Sequence, residues 1–152
     1  MIPTAFSQVA ATDVVHAIQL SLAPVFLLNG IGVLLGMLTS RLARIVDRAR
    51  VMEASLASVT PGEGRLIVAR LSVTSRRARL MNRAITLSTV AALMISLVVA
   101  LLFSSAYTPL PLTVAIALLF IISMLSLVGA LVCFLIEVRI ATASLRIGPG
   151  KS

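Results

Sequence analysis

A chain of 152 residues that is 59% hydrophobic and 12% charged, with a mean hydropathy of +1.11, has too little polar surface to cover a water-soluble globule of that size. Its net charge of +8 does not point to nucleic acid, because the cations border apolar runs and aromatic residues for base stacking make up 4%. The single cysteine, Cys133, rules out an intrachain disulfide or a multi-cysteine metal site, and inside an apolar run it reads as an inert small hydrophobe.

The N-terminus has no basic region, carries Asp13, and leads into an apolar run too long for a signal peptide, so it reads as a retained first helix spanning 14–39. Asp13 and His16 lie one turn apart at its start, as a candidate outer vestibule or proton-sensitive element, against the plainer reading of an interfacial cap. Pro24 removes a backbone donor and is expected to kink the helix and free a carbonyl near Leu20 or Ser21. Asn29, Gly32 and Gly36 share a face, and the two glycines have the spacing that lets helices approach closely. Two readings stay open for Gln19, Pro24, Asn29, Gly32 and Gly36: a polar packing seam, or the lining of a narrow pathway.

Residues 40–83 hold ten of the twelve arginines. Leu38, Leu42, Ile45, Ala49, Met52 and Leu56 step by four and three out of the first span, and Ile67, Leu71, Thr74, Ala78, Met81 and Ile85 step the same way into the second. The two series mirror each other about Pro61-Gly62, so the segment is expected to be an antiparallel helical hairpin with its turn near 60–63, against the alternative of two separate amphipathic helices on the membrane surface. That seam puts Arg41, Arg48, Arg70 and Arg77 along one flank and Val46, Glu53, Val68, Ser75 and Asn82 along the other. Facing guanidiniums repel, so the basic flank is a candidate site for lipid phosphate, a soluble anion or a neighbouring subunit's carboxylates, unless the arginines are simply solvated.

Between Arg83 and Glu137 the chain carries no formal charge for 53 residues, room for a second span at 84–103 and a third at 112–136. Ser104 to Pro111, with two prolines and Tyr107, makes the uncharged turn between them. Ser123, Ser126 and Gly129 form a second small-residue strip on the third span. Glu137 closes that span within expected reach of Arg41, Arg44 or Arg83, and 137–152 is a basic tail. The arginine bias places the 40–83 segment and the tail in the cytoplasm. The expected fold is one all-α integral membrane domain over 1–152, with three spans, a cytoplasmic antiparallel hairpin between the first two, and N-out/C-in topology.

Scattered acids, one histidine and the absence of any glycine-rich phosphate loop argue against an enzyme, and no cofactor or metal is expected. The run Ile18-Gln19-Leu20-Ser21-Leu22-Ala23-Pro24-Val25-Phe26-Leu27-Leu28, then Gly30-Ile31-Gly32, then Arg41-Leu42-Ala43-Arg44-Ile45-Val46-Asp47-Arg48-Ala49-Arg50, resembles the bacterial membrane-protein family catalogued as domain of unknown function 2721. The likeness covers about Val14 to Arg139; it implies a three-span protein of the bacterial inner membrane and carries over no functional residues. Two functions stay open. One is a homo-oligomeric channel or transport protein lined by the first span, with a basic cytoplasmic mouth favouring anions. The other is a structural or regulatory protein whose hairpin binds anionic lipid or a cytoplasmic partner.

Overall fold

The computed structural model describes residues 4–56, 61–105 and 111–143, with side chains described from Val14 in the first stretch and from Gly64 in the second. Three helices make up almost all of this: α1 (Thr4–Ser55), α2 (Pro61–Ser105) and α3 (Thr113–Ala143). Each contains a stretch long and apolar enough to cross a membrane. At 52 and 45 residues, α1 and α2 are roughly 78 and 68 Å long, more than twice a hydrocarbon core of about 30 Å. Both helices therefore extend beyond any span they make.

The helix boundaries follow local chemistry. α1 continues through Pro24. Pro61 opens α2, where its fixed φ suits a first turn and its missing N–H would have had no partner anyway. The expected turn at 60–63 thus overlaps the first turn of α2, and residues 57–60 lie outside the described residues. Pro111 precedes α3, and the Leu112 carbonyl accepts the Ile116 N–H at 2.9 Å. The Tyr107 turn and the tail beyond Ala143 also lie outside the described residues.

The chain divides into two compact units. The first comprises 1–34 and 88–127. Its buried positions among the described residues are Ala17, Ser21, Pro24 and Ile31 on α1, Ser88, Ala91, Ile95 and Val98 on α2, and Ser123 on α3. Five of these nine, Ala17, Ser21, Ser88, Ala91 and Ser123, are alanine or serine, which lets helix backbones come close where lipid supplies no hydrophobic drive. Ser123 Oγ donates to the Ala91 carbonyl at 3.0 Å, one hydrogen bond directly between α3 and α2.

The second unit comprises 35–87 and 128–152. Leu38 and Ile45 are buried on α1, Met81 and Ala84 on α2, Ala130 and Glu137 on α3. All twelve members of the two heptad-like series are at least partly buried, and their intervening neighbours are mostly exposed. Arg77 reaches Glu137, whereas Leu87, further along α2, lies 3.3 Å from the position a Cβ would take at Gly129, earlier on α3. Within this unit α2 and α3 are therefore antiparallel.

Large apolar side chains, Phe26, Val33, Leu93 and Leu125 among them, are exposed, as a helix facing lipid requires. Hydroxyls on these faces are satisfied by their own helix: Thr39 donates to Leu35, Thr86 to Asn82 and Ser96 to Ala92, each a carbonyl one turn back.

Candidate functional site

The polar centre of the second unit is Glu137, whose side chain is 1% exposed. A carboxylate taken out of water must be paired and hydrogen-bonded to remain ionised cheaply. Its Oε1 accepts from Arg77 Nε at 2.9 Å and from Arg77 Nη2 at 2.8 Å, so two donors of one guanidinium converge on one oxygen. Its Oε2 lies 3.6 Å from Arg41 Nη1, too far for a hydrogen bond, and accepts none among the described residues. Arg41 is also centred 5.1 Å from the ring of Phe134, one helical turn before Glu137, so α3 presents it with both a π face and a charge. All three ionised residues sit near the ends of charge-free stretches: Arg41 ends the run from Val14, Glu137 ends the run from Ala84, and Arg77 lies within two turns of Arg83.

Arg41, Arg77 and Glu137 form part of the wall of a cavity of about 490 Å³ completed by Arg44, Ile45, Asp47, Arg48 and Thr74. A second hollow, about 700 Å³, is lined by Arg48, Arg70 and Arg77 with Met52, Leu66, Ala69, Val73 and Thr74. A third, about 290 Å³, has Val46, Glu53 and Ser75 in its wall beside Ile45, Ala49, Leu71 and Ala78. The basic positions Arg41, Arg48, Arg70 and Arg77 thus share the first two hollows, and three of the opposite-flank residues share the other. Four arginines against two carboxylates leave the first cavity with two positive charges in excess.

From sequence alone Arg77 is a candidate for lipid phosphate, a soluble anion or a neighbouring subunit's carboxylate, or simply a solvated cation, and Arg41, Arg44 or Arg83 is the expected partner of Glu137. The structure keeps Arg41, adds Arg77 as the hydrogen-bonded partner, places Arg44 in the same cavity, and leaves Arg83 exposed. The seam of the first two helices says nothing about where the third one lies on α2, so the Arg77 pairing was not visible from it. A usable signal existed in spacing: Arg77 and Ala84 on α2, and Ala130 and Glu137 on α3, are each seven apart, with opposite charges at matching ends.

On α1, His16, Gln19, Asn29, Gly32 and Gly36 are exposed, while Pro24 is buried on a different face. A Cβ built on Gly32 or Gly36 meets nothing within 4 Å among the described residues, so none of these uses their close-approach spacing. The side chain of Asp13 lies outside those described. Cys133 is partly buried.

Comparison with curated proteins and with solved structures finds no match. A family model described as a protein of unknown function, DUF2721, matches residues 21–147, a region that includes the arginine cavity and all of α2 and α3, and the chain belongs to that family.

Proposed function

We propose that this is a structural or regulatory multi-pass protein of the bacterial inner membrane, N-out and C-in, whose basic cytoplasmic hairpin holds the phosphate of an anionic lipid headgroup. The observation that carries this reading is the arginine cavity: Glu137 engages Arg77 and Arg41, while Arg44 and Arg48 have no ion-pair partner among the described residues. Planar guanidiniums suit phosphate oxygens, and a net positive hollow next to the end of an apolar span suits a headgroup. The hairpin is supported by the hollows themselves, since the one using earlier α1 residues reaches Thr74 and Arg77, whereas the one using Arg48 and Met52 extends down α2 to Leu66.

The test is a titration of anionic lipid into the purified protein in neutral detergent. Arg44→Gln with Arg48→Gln should weaken binding about 30-fold, at about 1 kcal/mol for each basic residue near the surface, and flatten its salt dependence. Arg76→Gln with Arg79→Gln removes the same charge outside the cavity and serves as the control. An equal loss in both variants would replace a site with diffuse attraction and overturn the reading.

A second reading rests on a different observation. Gln19 and Asn29 are exposed along an apolar span, where lipid offers their amides no partner, and Gly32 and Gly36 are open beside them. Those residues fit an interface between copies, and a homo-oligomer built on this face would set α1 around a pathway, as in a channel with a basic mouth. Gln19→Leu or Asn29→Leu should then change ion flux in liposomes while native mass spectrometry reports an unchanged subunit number. Unaltered flux removes these residues from any pore lining.

A further inference from the structure

Glu137 leaves one thing unfinished in the arginine cavity. Its Oε2 is buried, accepts no hydrogen bond among the described residues, and belongs to a side chain that forms part of the cavity wall. Arg77 does not serve it here: the two nitrogens that contact Glu137, Nε and Nη2, both donate to Oε1. Arg41 stands at 3.6 Å and is drawn to the Phe134 ring. A buried carboxylate oxygen without a donor is costly, so whatever fills the cavity gains by bringing one.

The remaining wall specifies the rest of that ligand. Arg44 and Arg48, without ion-pair partners among the described residues, ask for an anion. The excess of two positive charges disfavours a ligand whose donor is an ammonium and favours one whose donor is neutral. From these features, and resting on the lipid-headgroup reading above, we infer that the cavity selects an anionic phosphodiester carrying a free hydroxyl: the phosphate meets Arg44 and Arg48, and the hydroxyl donates to Glu137 Oε2.

Two lipids of equal charge separate the parts of this inference. Phosphatidylglycerol has headgroup hydroxyls; phosphatidylmethanol is the same singly charged phosphodiester without them. Short-chain forms of each are titrated calorimetrically into the full-length protein in neutral detergent. Phosphatidylglycerol should bind at least tenfold more tightly, the ratio expected for one hydrogen bond to a charged acceptor. Phosphatidylethanolamine, with an ammonium donor, should bind more weakly than phosphatidylglycerol.

In Glu137→Gln the two Arg77 donors hold the amide oxygen at the Oε1 position, which leaves an NH2 where Oε2 stood. The hydroxyl can then only accept from an uncharged amide instead of donating to a carboxylate, and the ratio of the two anionic lipids should fall to about fivefold or less. The wild-type comparison stands even if that variant fails to fold. Equal affinity of wild type for both anionic lipids would mean that water meets Oε2, overturning the hydroxyl assignment while the headgroup reading survives. Binding of neither lipid would overturn the headgroup reading itself. Release of bound phosphatidylglycerol by an equal concentration of inorganic phosphate would assign the cavity to a soluble anion and overturn both.

Discussion

Replacing Arg77 with methionine should lower the unfolding free energy by about 3 kcal/mol, and replacing Glu137 with glutamine should cost distinctly less, because the two partners differ in burial. The Arg77 side chain is 22% exposed, so without Glu137 its guanidinium still reaches water. Glu137 is 1% exposed, so without Arg77 its carboxylate is stranded with Arg41 beyond hydrogen-bond distance. Arg41 itself is 40% exposed, and a rim position of that kind makes Arg41→Met a change of under about 1 kcal/mol. The double variant Arg77→Met with Glu137→Met should be more stable than Arg77→Met alone, since it removes the stranded charge. SDS titration in mixed micelles measures all four variants. A double variant no better than the single one would mean that the carboxylate is hydrated, and that Arg77 contributes packing rather than charge.

This pair also marks how far the sequence could be read. The three apolar helices were legible because hydrocarbon punishes charge so heavily that Asp13, Arg41, Arg83 and Glu137 stand out as boundaries. The buried side of the chain from Leu38 to Leu56 and of α2 from Ile67 to Ile85 was legible because it repeats mostly apolar residues against an arginine-rich background, which gives periodicity its contrast. That contrast disappears in α3, where both lipid-facing and buried positions are apolar or small. Ser123 and Gly129 could be named as a packing strip, but nothing in their pattern said which residues of α2 they meet. The site inherits that gap: Glu137 was expected to find an arginine near its own boundary, and with the register of α3 hidden nothing pointed to Arg77, which lies on α2 six residues from the boundary Arg83.

Substituting leucine for Ala130 should cost about 2–3 kcal/mol, although the change looks innocuous in a segment already rich in leucine. Ala130 has no exposed surface, and neither does Ala84 on the facing helix. At the adjacent Gly129, even a single added Cβ would come within 3.3 Å of Leu87. Soluble helices under such pressure can be held together by the hydrophobic effect acting elsewhere in the core, but between membrane spans the apolar alternative is lipid, so close contact is itself the driving force. A larger side chain at Ala130 would therefore both overpack the contact and, one heptad later, draw Glu137 away from Arg77. The expected signature is coupling: Ala130→Leu should cost less in the Arg77→Met, Glu137→Met background than in wild type, because there is no longer a hydrogen-bond geometry to spoil. Val128→Leu, at an exposed position two residues away, should change stability by no more than about 0.5 kcal/mol. If both leucines are tolerated alike in SDS titration, α3 does not pack closely on α2 at Ala130, and the Glu137 pairing must be held from the α1 side through Arg41 and Phe134.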